Sequence, residues 1–198
     1  MCESGPKTID QKPAVVFFHG ASFSTDDWIR IGTLKLVRED GFRVVAVDLP
    51  RGRATKTDKL ELKQASGYNQ LLEELFEKVG IPKEKEIVII GPSMGGGFAI
   101  SFALGYPGKV AGLVLIAPSW HDYTEGEIRS LKSDMPILLV WGDRDDVFPL
   151  QEYAKPLQKL IPNSKLLTLK DARHPAYLDK TEEFHKSLLE FLRETAKK

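Results

Sequence analysis

From Ala14 onward, short apolar runs alternate with stretches whose apolar residues recur at helical spacing. The runs Ala14–Phe18, Arg43–Asp48, Glu86–Ile90, Val110–Ala117, Pro136–Trp141 and Lys165–Leu169 are nearly continuous in Val, Ile, Leu and Phe. Unbroken runs of this length predict parallel strands covered on both faces. Between them, Tyr68, Leu71, Leu72, Leu75, Phe76 and Val79 recur at i, i+3, i+4, i+7, i+8 and i+11, which is one face of a helix. Gly80 and Pro82 stop it. Phe184, Leu188, Phe191 and Leu192 make a similar stripe behind Thr181, the candidate N-cap. Alternating strands and helices predict an α/β fold, a mostly parallel, doubly wound sheet with right-handed crossovers. Such sheets bind ligands beyond the carboxyl ends of their strands.

The residues that follow the strand ends therefore carry the chemistry. Ser93 stands in Gly91-Pro92-Ser93-Met94-Gly95, directly after Ile87-Val88-Ile89-Ile90 and before the helical stretch Phe98 to Leu104. A strand that breaks into a helix at a serine, with glycines two residues to either side, is a nucleophile elbow. The tight turn crowds the backbone, and Gly91, Gly95, Gly96 and Gly97 leave it room. The run Ile137 to Trp141 is followed by Gly142-Asp143-Arg144-Asp145, and the run Leu166 to Leu169 by Asp171-Ala172-Arg173-His174-Pro175. The resulting order, Ser then Asp then His, is that of the α/β-hydrolases.

A serine hydroxyl is a weak nucleophile at neutral pH, so an imidazole must take its proton. Of His19, His121, His174 and His185, only His174 lies in the loop directly after the final strand, and it is the candidate base. His19 at its strand end reads as a structural hydrogen-bonding residue, and His185 beside Phe184 as a surface or core-edge residue. A carboxylate behind the ring fixes its tautomer. Asp143, Asp145 and Asp146 compete for that role, with Asp145 favoured because the acid sits a few residues past its strand. The developing oxyanion needs fixed N–H donors. The residue after the nucleophile, Met94, supplies one, and Ala21 in the loop after the first strand is the candidate for the other.

Composition narrows the picture. Lys plus Arg and Asp plus Glu are 28 each in 198 residues, so no nucleic-acid or membrane-surface partner is indicated. The single cysteine, Cys2, provides no disulfide framework, and a reducing compartment is the simpler reading. The three nearby aspartates lack further ligands at metal-binding spacing, so neither a metal nor another cofactor is expected. Residues 1–198 read as one domain, a monomer, with 1–13 a tail or short edge strand. The N-terminus lacks the apolar region of a secretory signal, and no apolar stretch nears the roughly 20 residues needed to span a bilayer. A soluble intracellular protein follows.

With these residues placed, the chain resembles the small α/β-hydrolases of the CIB type, named after a factor that binds a subunit of the general transcription machinery. The similarity runs from about Pro13 to Leu192. It includes Phe18-His19-Gly20, then Phe23-Ser24 and Trp28, then Gly32-Thr33-Leu34. It continues through Gly41 to Pro50 and through His174-Pro175-Ala176-Tyr177-Leu178-Asp179-Lys180. The resemblance implies a lidless serine hydrolase of the α/β-hydrolase fold, active on small acyl esters, with Ser93, Asp145 and His174 at the matching positions. For relatives it also implies removal of acetyl groups from lysine, protein-partner roles, and cytoplasmic or nuclear location. Two departures stand out. Only 13 residues precede Ala14, where the superfamily places a β-hairpin, so the N-terminal sheet edge should be shortened. Arg51 also stands where relatives commonly have glycine, and Arg51 with Arg53 could meet an anionic substrate group or simply lie in a solvated loop.

Just 18 residues separate Ala117 from Pro136, too few for a lid of two or more helices. An open, shallow site follows, with Phe23, Trp120, His121, Tyr123, Phe148 and Tyr177 as candidate walls, each of them equally able to pack in the core. Two other readings stay open: an inactive or weakly active module that binds a partner or ligand, and acyl transfer on the same three residues.

Overall fold

A computed structural model describes residues 12–50, 52–55, 65–131 and 133–197. Among these residues, six parallel strands lie in the order β2-β1-β3-β4-β5-β6. They are β1 (Ala14–Phe17), β2 (Val44–Ala46), β3 (Ile87–Pro92), β4 (Val110–Ile116), β5 (Ile137–Gly142) and β6 (Lys165–Leu169). Each expected strand is present, with both ends within two residues of the sequence reading, and β2 is shortened most. There, irregular backbone replaces Val47 and Asp48. The expected edge strand before Ala14 lies outside the described residues.

Alternation along each strand divides the core in two. Val15, Phe17, Val88, Ile90, Val114, Ile116, Leu138 and Val140 face one side. There they meet Trp28 of α1 (Thr25–Arg30), Val37 of α2 (Thr33–Glu39), Tyr177 of α7 (Ala176–Asp179), and Phe184, Leu188 and Leu192 of α8 (Thr181–Thr195). Val16, Ile89, Leu113, Leu115, Leu139 and Trp141 face the other. That side is covered by α3 (Ala65–Lys78), α4 (Met94–Gly105) and α6 (Lys155–Leu160). Helices on both faces are why the strands read as unbroken apolar runs.

Two helical expectations shift. The α3 stripe buries Leu72 and Phe76 against α4, Phe76 meeting Phe102 edge-on at 5.5 Å. Leu71 and Val79, at the margins of that stripe, are 57% and 38% exposed. Only the centre of the stripe can reach α4. The N-cap of α8 is Lys180, one residue before Thr181, whose hydroxyl instead donates to the Tyr177 carbonyl at 3.0 Å.

The connection from β4 to β5 holds only α5 (Glu125–Arg129), so no helical lid covers this end of the sheet among the described residues. No described helix is long and apolar enough to cross a membrane.

Candidate active site

The β3–α4 junction is built under strain. Ser93 has φ 49° and ψ −116°, a conformation that a non-glycine residue keeps only when its surroundings impose it. Its amide donates to the Ile116 carbonyl at 2.8 Å, and its carbonyl accepts the Ser119 amide at 2.8 Å. The elbow is thereby tied to the end of β4 from both sides. The flanking glycines are required by space. A Cβ on Gly91 would stand 2.5 Å from the Gly95 carbonyl oxygen, and one on Gly95 would stand 2.7 Å from that of His19.

The loop after β1 passes beside this turn. A Cβ on Gly20 would lie 3.7 Å from the Ser93 Cβ and 3.2 Å from the Phe23 ring. The amides of Ala21 and Met94 have no hydrogen-bond acceptor among the described residues. Met94 is the first residue of α4, where helical geometry leaves the N–H groups without intrahelical partners. Both amides therefore remain available to an oxyanion.

Three consecutive residues at the end of β5 grip the loop after β6. Asp145 has a fully buried side chain, and its Oδ2 lies 2.8 Å from His174 Nδ1. Its Oδ1 accepts the amides of Val147 at 2.9 Å and Phe148 at 2.8 Å. With both oxygens engaged, the carboxylate is fixed behind the imidazole. Asp143, its rival in the sequence, is exposed and bonds the Asp171 amide instead. Asp146 is exposed as well.

The His174 ring is 16% exposed and meets Phe148 edge-on at 5.2 Å. Phe148 in turn contacts His121 at 5.5 Å and Tyr153 at 4.9 Å. The Trp141 indole donates to the Phe148 carbonyl at 2.7 Å, which fixes the backbone that carries this ring. Phe23 is half-buried beside Gly20, and Trp120 follows Ser119 on the elbow's other side. Tyr123 donates its hydroxyl to the Gly97 carbonyl at 2.7 Å, and burial pushes its phenol up to about 12.

Tyr177 corrects the expected list of wall residues. It is 1% exposed and packs between Trp28, at 4.5 Å, and Phe184, at 6.0 Å. It supports Phe23 from beneath, ring centroids 6.4 Å apart, rather than lining the surface. Arg53 has partners within the protein: its guanidinium pairs with the buried Asp27 carboxylate at 3.2 Å and reaches the Ser24 hydroxyl. Arg51 lies outside the described residues. Asp48 ties the end of β2 to the start of α1, accepting the Thr25 amide at 2.9 Å.

The remaining histidines have structural partners. His19 is fully buried between the Gly20 carbonyl and the Leu49 amide, each 2.8 Å from one ring nitrogen. His185 bonds the buried Thr33 hydroxyl at 2.8 Å. Sequence reasoning missed two contributors, Tyr153 and Asp143. Tyr153 gave no signal, because its place depends on the π-helical turn Leu150–Ala154. Asp143 was visible only as a competitor of Asp145.

Ser93, Asp145 and His174 thus all stand at the carboxyl ends of β3, β5 and β6, around one parallel sheet with a strained elbow. This chain belongs to the α/β-hydrolase fold family, which it matches over residues 13–134 and 122–181. Among similar proteins, human ABHD14B, provisionally named a protein-lysine deacylase, is 33% identical over 96% of this chain and 88% of its own length. Mouse ABHD14A is 35% identical over 90% of this chain and 69% of its own. The crystal structure of a predicted CIB-like hydrolase from Thermoplasma acidophilum superposes with a TM-score of 0.81. It is 30% identical, covering 96% of this chain and 89% of that one.

Proposed function

We propose that the protein is a serine hydrolase that removes small acyl groups from esters or from acylated lysine, through an acyl-enzyme formed on Ser93. The observation that carries this reading is the buried Asp145 carboxylate 2.8 Å from His174 Nδ1, with its second oxygen already saturated by two amides. That arrangement keeps the proton on Nδ1 and leaves Nε2 as the base.

In the forward step, His174 Nε2 takes the Ser93 hydroxyl proton as the oxygen attacks the acyl carbonyl. The charge that develops on the carbonyl oxygen is met by the Ala21 and Met94 amides, each such donor being worth about 3–4 kcal/mol of barrier. The imidazolium then gives its proton to the departing oxygen or amine. Water repeats the sequence on the acyl-enzyme, and the acid leaves. The deacylase name of the human relative supports acyl-lysine as one substrate class. The short β4–β5 connection supports small acyl groups with bulky leaving groups.

A fluorophosphonate probe tests the reading without assuming a substrate. Wild type should label, and Ser93→Ala and His174→Ala should not. One observation favours a second reading, a binding module that keeps these residues unused. No hydrogen bond joins the Ser93 hydroxyl to His174 among the described contacts. Catalytic hydrogen bonds of this kind often close only when substrate arrives. Folded wild type that fails to label would select the binding module.

A further inference from the structure

The geometry points to Asp143 as a positioning residue for His174, a role that rests on the hydrolase reading above. Asp145 holds the imidazole, but it cannot by itself set where the backbone of His174 runs. That backbone leaves β6 through Asp171, whose φ of 60° is a left-handed conformation uncommon for a side-chain-bearing residue. Aspartate visits this region more readily than most residues, and a hydrogen bond to its amide pins it there. The Asp171 amide donates to Asp143 Oδ1 at 2.6 Å, a charge-assisted bond from the adjacent strand end.

Neighbouring contacts show the same division of labour. The Arg144 amide donates to the Ala172 carbonyl at 2.9 Å, and its guanidinium pairs with the Asp171 carboxylate. The Arg173 amide donates to Asp179 at 2.7 Å, which closes the loop on the far side of His174. Gly142 lets the two loops touch, since a Cβ there would stand 2.2 Å from the Ala172 oxygen. Residues 142–145 therefore meet 171–174 in register, and Asp143 fixes the first link while Asp145 fixes the last. The exposed pairing of Arg144 with Asp171 is the weaker tie, as surface ion pairs generally are.

Asp143 contributes an acceptor, so the test separates acceptor from charge. Asp143→Ala removes both, and Asp143→Asn keeps an oxygen in the same place. Hydrolysis of p-nitrophenyl acetate by Asp143→Ala should show kcat reduced about tenfold with KM unchanged, as expected when a catalytic group is misplaced. Asp143→Asn should return kcat to within about threefold of wild type. The downfield proton NMR signal of His174 Nδ1–H should broaden in Asp143→Ala and persist in Asp143→Asn. Thermal melts should leave both variants folded, because Asp143 is exposed. Should Asp143→Ala not fold, Asp143→Ser, whose hydroxyl falls short of the Asp171 amide, replaces it with the same expected loss.

Wild-type kcat in Asp143→Ala would overturn the proposal. So would an Asp143→Asn variant as slow as the alanine, or a change confined to KM. If wild type itself neither labels nor turns over, the hydrolase reading fails separately. The NMR signal then decides the positioning question alone: loss in Asp143→Ala supports it, and retention overturns it.

Discussion

The Leu49 amide donates to His19 Nε2 at 2.8 Å, joining the loop after β2 to a fully buried ring at the end of β1. Because Nε2 accepts, the proton must sit on Nδ1, which donates to the Gly20 carbonyl at 2.8 Å. These two bonds select one tautomer, and the ring orients the segment that carries the Ala21 amide. A Cβ on Gly52 would stand 2.0 Å from its Cε1, so only glycine at position 52 leaves room for the ring.

His19→Ala should cost about 2–4 kcal/mol, because it opens a cavity and strands a buried amide and carbonyl together. Urea denaturation measures this. A loss below about 1 kcal/mol would show that the two groups find other partners. Activity of the folded fraction should also fall, since Gly20 would lose its tether.

Two glycine replacements should act in opposite directions. Gly142→Ala forces a Cβ against the Ala172 and Arg173 carbonyls and should destabilise by about 1–3 kcal/mol. Gly67, in the first turn of α3, has open space where a Cβ would go. Gly67→Ala should raise stability by about 0.5–1 kcal/mol, through helix propensity and a more restricted unfolded chain. Thermal melts of the two variants, side by side, check both signs.

The Tyr177 hydroxyl is buried with no hydrogen-bond partner among the described residues, and burial pushes its phenol well above the ordinary range. Tyr177→Phe keeps the packing against Trp28 and Phe184 and removes the stranded group. The melting temperature should hold or rise. A clear fall would reveal a bound water or another partner for the hydroxyl.

Burial holds the His185 imidazole below its ordinary pKa, with Nε2 at the Thr33 hydroxyl. The folded protein then binds the proton less readily than the unfolded chain does. Its contribution to stability is fully present above the unfolded histidine value of about 6.5 and is lost as pH falls through the lower folded value. Melting temperature should therefore drop on acidification in that window. His185→Gln should flatten the drop, and an unchanged pH profile would show that His185 is not its source.

Asp145→Asn should separate the two aspartates of the Gly-Asp-x-Asp segment. The amide can still take the Val147 and Phe148 N–H groups, but it no longer stabilises an imidazolium at His174. Activity should fall by roughly 10³-fold or more with little change in melting temperature. A fall comparable to that of Asp143→Ala would contradict the assigned roles.

Much of this was written in the chain itself. The strands were legible because residues such as Val88-Ile89-Ile90 are apolar on both faces, which only a doubly covered sheet requires. The places of Ser93 and His174 just past two strands were legible because the apolar runs before them give way to glycines and polar loop residues. Other assignments depended on distance in space rather than along the chain. Asp143 and Asp145 are both carboxylates past one strand, and only the path of residues 171–174 across β5 decides which oxygen meets an imidazole and which an amide. Tyr177 and Phe23 are both aromatics near the site, and packing against Trp28 buries one while leaving the other beside Gly20. Local spacing determines which elements form and what each loop carries. Contacts between residues far apart in sequence decide which of several chemically equivalent groups is oriented, buried or left free.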